Sequence, residues 1–141
     1  MKDMEVMDYV DLINTATKRW IAISQHFHDS IQSLITVSKA ETKDLIIQQV
    51  DSEHYKVSLI NRTISICISP YMVGKDLRGY VSMSEKRRDK DHKVSDFTID
   101  IQGAAHNSAG EKLLRLGESP FKTAGLYYSL ILECLSQPSL C

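Results

Sequence analysis

Glycine and cysteine are scarce in this chain, and the patterns they fail to make narrow the possibilities at once. Six glycines among 141 residues form no Gly-x-Gly-x-x-Gly, no Gly-Lys-Ser/Thr and no Gly-x-Ser-x-Gly. Neither the backbone cradles that hold phosphates nor the sharp turn that presents a nucleophilic serine is therefore signalled. The three cysteines, Cys67, Cys134 and Cys141, are odd in number and widely spaced, which supports neither a disulfide framework nor a zinc knuckle. Reduced thiols are expected, with no metal and no cofactor. An excess of one charge is also missing: 17 Lys and Arg stand against 18 Asp and Glu, a net charge of -1. No global field would hold a polyanion, so nucleic acid is not the expected partner. The longest nearly apolar run, 124–135, is interrupted by Glu133 and is about half of the roughly 20 residues a bilayer span requires. No membrane association is expected.

What is present is ordinary. A composition 43% hydrophobic and 25% charged lies near the average of soluble globular domains. A chain of 16.0 kDa can bury roughly 68% of its unfolded surface, enough for a core without staples. The expectation is one domain over 1–141. The first eight residues are acidic and lack the basic start and apolar stretch of a signal peptide, so a cytoplasmic location is expected. In that setting the Asn61-Arg62-Thr63 sequon carries no meaning, and Cys141 stands at the last position rather than four from the end as a prenylation box needs.

The hydrophobic period divides the chain. Val6, Tyr9, Val10, Ile13, Ala16, Trp20, Phe27, Ile31, Leu34 and Ile35 recur every three or four residues, predicting an amphipathic helix over about residues 4 to 37. Asp3, Glu5, Asp8 and Asp11 suit its positive N-terminal end. Such a helix would span on the order of 50 Å, so it either breaks near Asn14-Thr15 or Asp29-Ser30 or overhangs the domain. Trp20, the only tryptophan, falls on the stripe and is expected to be largely buried in the contact between this helix and the sheet. Near Lys39 the period becomes two, with strands at 45–50, 55–59, 64–68, 80–84 and 97–101. Asp51-Ser52-Glu53 and Asn61-Arg62 are expected turns, and Ser69-Pro70 is expected to end the third strand. The segment 111–116 fits a short helix or an edge strand. Ser119-Pro120 starts a last helix, 121–135, apolar nearly all round. The predicted fold is therefore α+β: a long N-terminal helix, an antiparallel meander of about five strands, and a C-terminal helix packed on the sheet.

Candidate chemistry is thin. His26 and His28 are two apart, which on a helix points them about 200° apart, whereas paired ligands use i and i+4. They read as structural, and His54 as a turn residue. His106-Asn107 lies in a small-residue loop, where binding groups are common, and is the candidate functional loop. Cys67 sits between Ile66 and Ile68 and reads as a packed thiol. Asp96, Asp100 and Glu111 are carboxylates that could converge. The most unusual composition is 85–93, where Lys86, Arg87, Arg88, Lys90 and Lys93 outnumber Glu85, Asp89 and Asp91 by two, or by three with His92 protonated. It reads as a solvated hairpin tip. If it binds anything, the interspersed aspartates and missing aromatics disfavour nucleic acid and favour an acidic protein surface, with Lys86, Arg87, Arg88, Lys90 and His92 as contacts.

A near-neutral domain without a catalytic set, carrying more apolar helix surface than one core needs, is expected to be a non-catalytic protein-interaction module and a homodimer. Immunity proteins, inhibitors and small chaperones or adaptors share this profile. Two alternatives are a small-ligand or nucleic-acid binder using 86–93 and a small enzyme centred on His106.

Overall fold

The 3.6-residue stripe folds as one unbroken helix, α1 (Val6–Glu41), in a computed structural model that describes residues 5–138. Asp3 and Cys141 lie outside the described residues. No break occurs at either polar pair, and at Asp29-Ser30 both side chains are satisfied along the helix. Thr17 Oγ1 donates to Ile13 O at 2.9 Å, Ser30 Oγ donates to Phe27 O at 2.6 Å, and Gln25 reaches Asp29 one turn on. The backbone ladder therefore runs through.

Seven strands follow, not five: β1 (Ile46–Asp51), β2 (His54–Leu59), β3 (Arg62–Val73), β4 (Asp76–Arg87), β5 (Lys90–Ile99), β6 (Ala104–His106) and β7 (Lys112–Arg115). They form one antiparallel sheet in sequence order. β6 and β7 come from the small-residue connection and from 111–116, which is an edge strand. β3 does not end at Pro70 but pairs onward with β4 through Pro70↔Gly79 to Val73↔Asp76. β2 has already ended opposite Cys67, so Pro70 stands on a free edge where its missing N–H costs no ladder bond. Two turns are tighter than the sequence suggests. Ile60-Asn61 and Arg88-Asp89 each hold two consecutive residues at positive φ, the geometry of two-residue hairpins. Arg62 is consequently a strand residue.

The chain closes with α2 (Pro120–Leu135), whose first turn is capped by Ser119 Oγ accepting from Lys122 N. Alternate strand residues Tyr55, Val57, Ile64, Ile66, Val81, Met83, Phe97 and Ile99 are buried. α1 and α2 lie side by side over that face, joined to it in one cluster by Ile23, Phe27, Ile31, Leu34, Ala124, Tyr127 and Ile131. Gly79 lets α1 come close: a Cβ there would stand 2.7 Å from both Ile23 Cγ2 and Ile68 Cδ1. The other sheet face, with Ser65, Cys67, Ser82, Ser84, Tyr80 and Thr98, is covered by neither helix. Trp20 is only half-buried, at the margin of the cluster. It sits where α1 leaves the sheet, so the sequence overstates its burial. Before that point the helix overhangs, as its length requires. Among the described residues no helix is long and apolar enough to cross a membrane.

Candidate functional site

The charged hairpin divides into two chemistries. The alternation that buries Val81 and Met83 continues through Glu85 and Arg87, so both point under the C-terminal end of α2 rather than into solvent. Arg87 is 8% exposed, which removes it from the expected docking anchors. Glu85 accepts from Arg62 Nε at 2.7 Å and from Arg62 Nη2, and Arg87 adds Nε and Nη2 at 3.1 Å each. Arg62 also donates to the carbonyls of Cys134 and Leu135, and Arg87 to Gln137 Oε1. This cationic end satisfies carbonyls that a helix C-terminus leaves without partners. The hydrogen bond from Arg62 above all, with that from Arg87, holds the Glu85 carboxyl below its usual range despite burial. The cluster is a structural clamp, and the sequence pattern, which places Arg62 in a turn, does not show its part in it. The signal for Glu85 and Arg87 was the strand phase, which two charges do not interrupt.

Lys86, Arg88, Lys90 and His92 remain exposed. Arg88→Glu with Lys90→Glu should therefore shift stability by no more than about 0.5 kcal/mol, measured by denaturant unfolding. Arg87→Glu alone should destabilise strongly, since it places a second carboxylate against buried Glu85.

His106 is not free either. Its Nε2 lies 2.9 Å from Asp100 Oδ2, and Asp100 Oδ1 accepts from the N–H groups of Gln102 and Ala104. Burial opposes ionisation of Asp100, but the bond from His106 and those two N–H groups outweigh it and hold the carboxyl below its usual range. His106 Nδ1 is buried without a partner. Among the described residues no hydroxyl or thiol is hydrogen-bonded to the imidazole, and the His106–Asp100 pair clamps the turn between β5 and β6. Asp96 and Asp100 do not converge, because Asp96 bonds Lys93 and Tyr80 instead. His26 faces Ile101 O and His28 faces Tyr55 OH, both structural contacts. Burial raises the Cys67 thiol and pushes Cys134 up to about 11, as expected of packed thiols. Among the described residues no group of three or more His, Cys, Asp or Glu is placed to hold a metal.

Asn107 enters a different feature. On the uncovered sheet face, Tyr71, Arg78, Tyr80, Asp96, Thr98 and the loop 107–110 line a cleft of about 360 Å³. Tyr71 and Arg78 are direct cross-strand partners, as are Tyr80 and Thr98. Tyr80 is fixed by donating to Asp96 at 2.7 Å, with Lys93 bridging both groups. The Asp96 carboxylate, and then the Tyr80 hydroxyl, push the Lys93 ammonium up to about 12.

The remaining feature is the overhang of α1. Val6 is 75% exposed and Ile13 64%, and Met7, Tyr9, Val10 and Ile21 are exposed with them. The tip of the β3–β4 hairpin flanks this helix at Leu12, Thr15 and Arg19 through Met72, Lys75 and Asp76. By the helical period, the line Val6, Val10, Ile13 and Thr17 lies on the side away from that tip.

Comparison with known proteins brings no match: no family model fits the chain, and no curated protein or solved structure matches it.

Proposed function

We propose that this protein is a non-catalytic protein-interaction module, of the kind to which immunity proteins, inhibitors and small chaperones or adaptors belong, and that it works as a homodimer joined through the overhang of α1. The observation that carries the reading is the exposed stripe Val6, Tyr9, Val10 and Ile13, on the part of the helix that extends beyond the sheet. A helix kept amphipathic beyond its own core is built for a second surface. The occupant argued here is another copy. With Ile13 at the centre, an antiparallel α1 sets Val6 beside the half-exposed Trp20 and Val10 beside Ala16. Opposed helix dipoles then agree with the apolar register. The exposed hairpin cations Lys86, Arg88, Lys90 and His92 remain free to meet an acidic partner protein.

Light scattering at tens of micromolar tests the dimer. The expected mass is twice 16.0 kDa, and Val10→Asp with Ile13→Asp, both on exposed positions, should return a folded monomer. A monomeric wild type would overturn the assembly. A wild-type dimer unaffected by the double substitution would move the interface away from α1.

A further inference from the structure

On the uncovered face of the sheet, we infer that the cleft between Tyr71, Arg78 and Asn107 is a binding site for a planar aromatic ring carrying one phosphate group, of the size of a nucleoside monophosphate. Its volume of about 360 Å³ is near the lower end of the roughly 300–1,000 Å³ range of small-molecule sites, which limits the occupant to one ring system and a single anionic group.

Three observations define that chemistry. First, the stacking surface is free. Tyr71 is 51% exposed and leans on Tyr80 with ring centroids 5.8 Å apart. Tyr80 is itself held by Asp96 and Lys93, so an arriving base meets a platform already ordered. Second, the cation is unspent. Arg62 and Arg87 are committed to Glu85, and Lys93 to Asp96. Arg78, facing Tyr71 across the strands, makes no hydrogen bond or ion pair with a side chain of the described residues. Its guanidinium suits a phosphate bidentately. Third, the loop wall is preorganised with donors left over. Asn107 spends its carbonyl oxygen on the N–H groups of Ala109 and Glu111 at 3.0 and 2.9 Å, so its amide N–H₂ and the neighbouring Ser108 hydroxyl remain for the ligand. Asp96 in the same lining disfavours a second and third phosphate, so a monophosphate should bind better than a triphosphate.

The experiment is an amide-resolved NMR titration of the full chain with 5′-AMP, and in parallel with adenosine, ATP, inorganic phosphate and a short single-stranded oligonucleotide. Saturable shifts confined to residues around 71, 78, 80, 98 and 107–110 are expected with AMP, with weaker binding of adenosine and ATP. Arg78→Gln should lose about tenfold or more in affinity, as expected for loss of a charge-assisted pair. Tyr71→Ala should lose a similar factor through stacking, about tenfold, while Tyr71→Phe retains it. These positions are exposed or half-exposed, so the variants should fold, and an unchanged melting temperature verifies that. An oligonucleotide that binds more tightly than AMP, with a steep salt dependence, identifies a strand end as the source of the same chemistry. Equal affinity of the two identifies a free nucleotide. No saturable shifts at low millimolar AMP, affinity unchanged in Arg78→Gln, or binding of inorganic phosphate as tight as AMP would each overturn the site.

Discussion

Glu85→Ala is expected to destabilise the protein by about 3–5 kcal/mol, the usual consequence of leaving a buried ion pair with one partner missing. Glu85 is 3% exposed and is the acceptor for two guanidinium groups, with side chains only 15% and 9% exposed. Without it, Arg62 and Arg87 are largely buried with no carboxylate partner, and only the carbonyls of Cys134 and Leu135 and the Gln137 side chain remain as acceptors. The measurement is urea unfolding of wild type, Glu85→Ala, and a triple variant in which Arg62 and Arg87 also become Met. The triple variant should recover most of the loss, because an apolar set of similar volume avoids the desolvation of three charges. If Glu85→Ala alone unfolds within about 1 kcal/mol of wild type, the burial of this cluster is wrong. The cluster also sets a pH dependence. Arg62 first, then Arg87, depress the folded carboxyl below its ordinary value near 4.5. Its contribution is thus complete above that pH and falls away as the solution is acidified through the depressed value. Glu85→Gln should flatten the acid limb of the stability profile.

The second large effect is expected at Tyr127. Its ring is fully buried edge-on to Phe97, with centroids 5.9 Å apart, and its hydroxyl lies 2.6 Å from Ser30 Oγ. Ser30 donates its own proton to Phe27 O, so Tyr127 is the donor of the shared bond and the link between α2 and α1 runs one way. Burial pushes the phenol far above its ordinary value, which keeps it a donor at any working pH. Tyr127→Ala should cost about 3–5 kcal/mol through the cavity. Tyr127→Phe should cost only about 1–2 kcal/mol, since it removes one buried hydrogen bond and leaves Ser30 satisfied by Phe27. Calorimetry of both variants separates packing from the polar link. Equal losses would falsify the assignment of most of the energy to the ring.

Much of the framework was legible in the residues. The stripe from Val6 to Ile35 gave α1, and Tyr55, Val57, Ile64 and Ile66 gave the meander. What failed was the treatment of charge and proline as punctuation. Glu85 and Arg87 keep the phase of Val81 and Met83, but a run so rich in Lys, Arg and Asp reads as solvated, because burial of ions depends on partners distant in sequence. Arg62 lies 23 residues from Glu85, and no local pattern announces it. Pro70 looks like a strand end in the sequence because its tolerance depends on whether β2 still runs alongside, a fact of register. The same error hid the cleft: Tyr71 belongs to it only because β3 continues past Pro70, and Tyr71 and Arg78 meet only across the hairpin that follows. His106 and Asn107 were adjacent candidates, yet strand alternation and turn chemistry send one to Asp100 and the other to the cleft wall.

The strictly sequential order of the sheet has a kinetic consequence. Every strand pairs with its neighbour in the chain, so the sheet can grow hairpin by hairpin without closing a long loop, and its contact order is low for a β-rich protein. The contact between the helices is different in kind, since α1 and α2 are separated by the 78 residues 42–119. Loop-closure entropy for the α1–α2 contact falls once β1 to β7 have formed, because the sheet then holds the two helices within reach. α2 is thus expected to dock late. Substitutions at Tyr127 should then act mainly by speeding unfolding rather than by slowing folding.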